Sequence, residues 1–149
     1  MFVTNNKKPT RRAVLIFGDP GHGKSTLLKN LKEHGYHSIG LDEVYVEFIQ
    51  GKYRNLYLEV LRQVIAQHFH HIFGQIPANV EAWANHVASL TEKAVQDHNL
   101  VAVEGYLMLP ALEAVQQRLA GKATLTIVEA RQRQYFVASS IEQIVKGSH

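Results

Sequence analysis

Short apolar runs alternate along the chain with longer segments in which apolar residues recur every three or four positions. The run Ala13–Phe17 ends at Gly18 and is typical of a strand that is buried on both faces of a parallel sheet. Similar short runs predict four further strands, near residues 36–39, 100–103, 125–128 and 135–138. Strands that alternate with helices are joined by right-handed crossovers, so we expect an α/β fold with a five-stranded parallel sheet and helices on both faces.

The helices are predicted from their periodicity and their end signals. One begins at Ser25 and ends before Gly35, one spans Pro110 to Leu119, and one begins near Ser140. The stretch from Asp42 to Asn99 contains no convincing strand, and we interpret it as a helical insertion between the second and third strands.

This insertion is predicted to hold two or three helices and most of the aromatic residues, so it is where an acceptor pocket is expected. One helix covers residues 61–72, and a second follows Pro77. The apolar residues of the second share one face: Val80, Trp83, Ala84, Val87, Leu90 and Ala94. Core packing is the alternative role for most of these side chains.

Length and composition favour one globular domain, which we place at residues 13–146. The chain has 149 residues, 46% of them hydrophobic, and no cysteine, which excludes disulfides, thiolate zinc sites and thiol nucleophiles. No apolar run is long enough for a membrane span or a signal sequence, so a cytoplasmic protein without a membrane partner is expected. Residues 147–149 resemble a tag remnant and are left out of the fold.

The net charge of +3 comes from the first twelve residues, which we predict to be a basic flexible tail. This tail carries four positive charges before the first acidic residue: Lys7, Lys8, Arg11 and Arg12. Nucleic-acid binding through the tail is one interpretation, and a solvated chain end is the other.

A phosphate-binding pattern lies between the first strand and the first helix. Eight residues fit G-x-x-x-x-G-K-[ST] in full: Gly18, Asp19, Pro20, Gly21, His22, Gly23, Lys24 and Ser25. Glycines let successive N–H groups point at phosphate oxygens, and the helix start adds its positive dipole end. In this pattern Lys24 contacts the β- and γ-phosphates, Ser25 is the Mg²⁺ ligand, and Thr26 could bind another phosphate oxygen.

Acidic residues follow two of the predicted strands, at the edge where ligands bind in a parallel sheet. Asp42 could orient an acceptor hydroxyl or accept its proton, and Glu104 could support Mg²⁺ or bind the acceptor. Either carboxylate could instead stabilise the start of the next helix. The chain lacks the Asn-Lys-x-Asp and Asp-x-x-Gly segments of GTPases, which argues against a GTP switch.

With these residues in place, the chain resembles the P-loop kinases of small molecules, especially the nucleoside kinases that include uridine kinase and nicotinamide riboside kinase. The resemblance rests on the loop of residues 18–25, on Asp42 after the second strand, and on Val103–Leu107, which is similar to the family's strand-ending Val-Glu-Gly-Phe-Leu. Shikimate and gluconate kinases share this layout. The resemblance implies ATP as donor, Mg²⁺, and a small hydroxylated acceptor.

The chain departs from that family at the arginine-bearing lid between the fourth and fifth strands, where only Glu129–Gln134 is available. Arg131 and Arg133 could be a remnant of the lid that reaches the phosphates from a short loop, or two solvated arginines in a turn. Arg54, in the insertion, could clamp an anionic acceptor or form a surface ion pair.

The sequence therefore predicts a three-layer P-loop fold with strand order 2-3-1-4-5. The predicted function is ATP- and Mg²⁺-dependent phosphoryl transfer to a hydroxyl of a nucleoside, sugar or hydroxy acid, with Lys24, Asp42, Glu104 and Arg131 as catalytic residues. The alternative is a nucleotide-binding or regulatory ATPase module that has no small-molecule acceptor.

Overall fold

The computed structural model describes residues 11–18, 21–48, 77–132 and 134–138. The predicted helices at residues 61–72 and after Ser140 lie outside these ranges, as do residues 1–10 of the predicted tail. The elements, in chain order, are β1 (Arg12–Phe17), α1 (Lys24–Glu33), β2 (His37–Gly40), α2 (Leu41–Phe48), α3 (Pro77–Asp97), β3 (Leu100–Glu104), a 3₁₀ helix (Tyr106–Ala111), α4 (Leu112–Leu119), β4 (Thr124–Arg131) and β5 (Gln134–Ala138).

The five strands form one sheet in the order β2-β3-β1-β4-β5, which confirms the α/β class and the predicted strand order. Strands β2, β3, β1 and β4 are parallel, whereas β5 runs antiparallel to β4, so the prediction of an entirely parallel sheet is wrong. The reason is the length of the connection. A parallel crossover needs about a dozen residues or more, and only residues 132 and 133 separate β4 from β5.

Apolar side chains cover both faces of the sheet, as expected for buried parallel strands. One face packs against α2, α3, the 3₁₀ helix and α4, and the opposite face packs against α1. In β1, Leu15 points to the first face and Ile16 to the second, and both are fully buried. None of the helices among the described residues is long and apolar enough to cross a membrane.

Helix α3 confirms the predicted second helix of the insertion, and its buried residues have helical spacing: Trp83, Ala84, Val87, Ala88, Thr91, Ala94 and Val95. The predicted helix over Pro110–Leu119 is partly wrong, because residues 106–111 form a 3₁₀ helix and α4 begins at Leu112. Pro110 stands three residues after Leu107 and has no N–H to donate to its carbonyl. The buried Trp83 Nε1–H donates to that carbonyl instead, at 3.0 Å.

Candidate active site

The loop between β1 and α1 turns on glycines. Gly18, Gly21 and Gly23 have φ values of 141°, 82° and 98°, in the region that other residues rarely adopt. A Cβ on Gly18 would also lie 2.3 Å from the carbonyl oxygen of Ala130 in β4, so the loop packs against the sheet where a side chain would not fit. Asp19 and Pro20 lie outside the described residues, and His22 is half-buried.

Helix α1 begins at Lys24, directly after this loop. Among the described residues, no side chain caps its N-terminus and no acidic residue lies in its first turn. The first N–H groups of a helix have no partner within the helix, and its N-terminus is the positive end of the dipole. Ser25 and Thr26 are exposed in this first turn. The loop and the helix start therefore present donors and positive charge to an anion.

Lys24 is 8% exposed, and its Nζ donates to the carbonyl oxygen of Gly18 at 2.6 Å. The side chain thus lies back across the loop. An ammonium group has three donors, so Nζ can hold this carbonyl and still donate to a phosphate oxygen.

A close approach between β3 and α2 brings the two predicted acids together. A Cβ on Gly105 would lie 2.6 Å from Cβ of Leu41, the first residue of α2, and the Gly105 N–H donates to Ile16 O in β1 at 3.0 Å. These contacts set the end of β3, with Glu104, beside the first turn of α2, with Asp42. Asp42 is exposed, and Glu104 is half-buried.

Electrostatic interactions link these acids to the loop. Burial raises the pKa of Glu104, the Asp42 carboxylate raises it further, and the Lys24 ammonium opposes both. A third acid, Glu43, also lies here, since its Oε1 and that of Glu104 are each 3.9 Å from the point where a Gly40 Cβ would stand. Glu43 follows Asp42 in the sequence, and no pattern distinguished it.

Mg²⁺ fits this donor set only in part. The described residues contain no group of three His, Cys, Asp or Glu side chains that could hold a metal ion. Mg²⁺ in nucleotide sites, however, usually takes one or two protein oxygens and completes its shell with phosphates and water. The Ser25 hydroxyl and the Glu104 carboxylate are of the right chemical type.

Arg131, one of the two arginines of the predicted lid remnant, lies in a strand and not in a loop. Arg131 is the last residue of β4, where its Nη2 donates to Glu129 Oε1 at 2.6 Å and its guanidinium lies 4.7 Å from the centre of the Phe136 ring. Residues 129–131 end β4, Gln132 lies in a turn, and Gln134 begins β5. A catalytic role for Arg131 stays a prediction, and Arg54 and Arg133 lie outside the described residues.

One contact to the loop was missed in the sequence. The Tyr135 hydroxyl, in β5, donates to the carbonyl oxygen of Gly23 at 3.0 Å. The sequence signal for this contact was the short connection between the last two predicted strands. Strands joined by so few residues form a hairpin, and a hairpin brings Tyr135 back towards the loop.

Comparisons with known proteins show fold similarity only. No family model matches the chain, and no curated protein matches it. A search of solved structures finds a chain of the Pnkp1/Rnl/Hen1 complex, with a TM-score of 0.52 and 15% identity. The match covers 98% of the present chain but only 42% of that chain, so the present chain spans less than half of its neighbour's length. This neighbour is not a small-molecule kinase, and the assignment to that family is therefore wrong.

Proposed function

We propose that residues 13–146 form a P-loop NTPase domain that binds a nucleoside triphosphate with Mg²⁺ and transfers a phosphoryl group to a hydroxyl. The observation that carries the proposal is the position of Lys24. Its ammonium is nearly buried at the start of α1, inside a loop of positive-φ glycines, and it acts electrostatically on Glu104. A nearly buried ammonium beside the N–H groups of a glycine-rich turn and a helix start is the arrangement that neutralises a bound phosphate.

In this proposal, Lys24 and the N–H groups of the loop neutralise the phosphate oxygens as charge develops during transfer. Ser25 is exposed beside them and would hold Mg²⁺ directly, while the metal supplies charge neutralisation on the β- and γ-phosphates. Thr26, one residue further along α1, would donate to another phosphate oxygen.

Asp42 and Glu104 differ in solvent exposure, and we assign them different roles. Asp42 is exposed and would orient the acceptor hydroxyl and receive its proton. Glu104 is half-buried and would support Mg²⁺, because a nearby cation offsets the cost of ionising a buried carboxyl group. Asp42 also lies in the first turn of α2, where a carboxylate stabilises the helix dipole, so its two roles need separate tests.

The acceptor is proposed only as a hydroxyl of a nucleotide-related compound. The small-molecule acceptor expected from the sequence depended on the family assignment that the comparison overturns. The basic residues before β1 keep nucleic acid among the acceptors to be tested.

The test begins with binding. Calorimetry with ATP and Mg²⁺ should detect binding, and Lys24→Ala should weaken it roughly tenfold or more, as expected for hydrogen bonds from a charged group. Lys29→Ala is the matched control, because Lys29 is an exposed lysine further along the same helix. The proposal fails if the parent protein binds no triphosphate, or if both variants bind alike.

The second experiment measures phosphoryl transfer. The protein is incubated with γ-labelled ATP and a panel of nucleosides, nucleotides, oligonucleotides with free 5′-hydroxyls, sugars and hydroxy acids. A labelled product that Asp42→Asn reduces while ATP affinity is retained would support the acceptor role of Asp42. Loss of helical content or stability in the same variant would indicate the helix-stabilising role.

A regulatory ATPase or nucleotide-binding module is the second candidate. The observation in its favour is that β4 and β5 pair as antiparallel strands as far as Arg131 and Gln134, which leaves only two residues between them for a lid that could close over the phosphates. ATP hydrolysis without any labelled acceptor in the panel above would favour this candidate.

A further inference from the structure

The β4–β5 hairpin contacts both ends of the phosphate loop through one pair of residues. Ala130 and Tyr135 stand opposite each other in the antiparallel ladder. Ala130 packs its carbonyl oxygen against Gly18, where the loop begins, and the Tyr135 hydroxyl donates to Gly23, where the loop ends. The loop is therefore held between two neighbouring points of a single hairpin.

The Tyr135 contact acts on the peptide group that joins the loop to α1. The Gly23 carbonyl oxygen accepts the Tyr135 hydroxyl at 3.0 Å and also the Leu27 N–H at 3.1 Å, which begins the helical hydrogen-bond pattern. In a planar trans peptide the C=O and the following N–H point in opposite directions. Two donors that hold the Gly23 carbonyl therefore also fix the direction of the Lys24 N–H.

We propose that Tyr135 is a positioning residue for the phosphate loop, whose hydroxyl orients the peptide between Gly23 and Lys24 so that the Lys24 N–H points at the bound phosphate. This inference rests on the proposed function. Gly23 has φ of 98° and no side chain, so rotation about its bonds is cheap unless an outside group restrains it. Tyr135 is 39% exposed, so a phenylalanine ring at this position is expected to keep the packing and lose only the hydroxyl.

The test is Tyr135→Phe, with affinities measured by calorimetry for two ligands, ATP with Mg²⁺ and inorganic tripolyphosphate with Mg²⁺. Loss of one partly exposed hydrogen bond is expected to weaken both about two- to fivefold. Tyr36→Phe is the matched control, because Tyr36 packs beside α1 and, within the described part of the loop, no hydrogen bond joins its hydroxyl to a loop residue. Its affinities are expected to equal those of the parent.

A second measurement separates positioning from general stability. Hydrogen exchange of the peptide that covers residues 21–27 should be faster in Tyr135→Phe than in the parent, while the thermal midpoints of the two proteins agree. A lower midpoint together with faster exchange throughout the chain would overturn the proposal, because the hydroxyl would then act on global stability.

The outcomes also distinguish this inference from the proposed function. If the parent protein binds neither ligand, the proposed function fails, and the inference about Tyr135 fails with it. If the parent binds both and Tyr135→Phe binds them equally well, only the inference about Tyr135 fails. If the variant loses affinity for ATP but not for tripolyphosphate, the hydroxyl acts on the nucleoside and the positioning role is refuted.

Discussion

Gly105→Ala tests whether the close packing of β3 on α2 builds the acidic part of the site. The new methyl would lie 2.6 Å from Leu41 Cβ, where ordinary contacts begin at 3.4 Å, so the two elements would have to separate by about 0.8 Å. A change of the Leu41 rotamer cannot relieve this contact, because Cβ does not move with the rotamer. Nor can Gly105 move back freely, since its N–H is bonded to Ile16 O.

Such overpacking costs about 1–3 kcal/mol in the free energy of unfolding. With a urea dependence of about 2 kcal/mol per molar, a loss of 2 kcal/mol lowers the midpoint of urea unfolding by about 1 M. Circular dichroism during urea titration measures this midpoint. Any phosphoryl transfer should fall as well, because Asp42 moves with the start of α2 away from Glu104.

Gly40→Ala is the matched control for this change. Gly40 lies in the neighbouring strand β2, and the nearest atoms to its new methyl group would be carboxylate oxygens at an ordinary 3.9 Å. Its midpoint is expected to stay within about 0.3 M of the parent, since uncrowded substitutions change stability by about 0.5 kcal/mol or less. Equal midpoints for the two variants would refute the role given to the contact between Gly105 and Leu41.

Three further changes test the energetics of the fold and site. Glu104→Gln should raise the thermal midpoint near neutral pH and change it little in acid. The pKa of Glu104 is raised in the folded protein, so the protein loses stability as the pH rises from the ordinary glutamate pKa through the raised one, and glutamine avoids this loss. An equal gain in midpoint at both pH values would contradict this reasoning. Trp83→Phe should lower the free energy of unfolding by about 1–3 kcal/mol in urea titration, because the buried Leu107 carbonyl loses its donor; an unchanged value would show that the bond is not needed. Gln132→Gly should raise it by about 0.5–1 kcal/mol, because glycine relieves a left-handed residue with φ of 53°, and a decrease would refute that reason.

The sequence was most informative where local rules act. The apolar run of β1 and the glycine pattern after it identified the strand, the turn and the helix start, because burial on both faces and positive φ each limit the residues that can be used. The apolar spacing of α3 identified its buried face for the same kind of reason. The direction of β5 was predicted wrongly because its apolar run is the same for either direction, and only the two-residue connection excludes a parallel strand.

By itself, the sequence determined most of the strands and helices of the described residues and pointed to the residues that we propose for phosphate binding, since periodicity, glycine placement and side-chain type are local properties. The tertiary structure decided which of these residues meet. Glu104 and Asp42 are neighbours because Gly105 leaves no space between β3 and Leu41, and Tyr135 reaches Gly23 because β5 turns back beside β4. These contacts depend on close packing between segments that are distant in the chain, and no local sequence pattern predicts that packing.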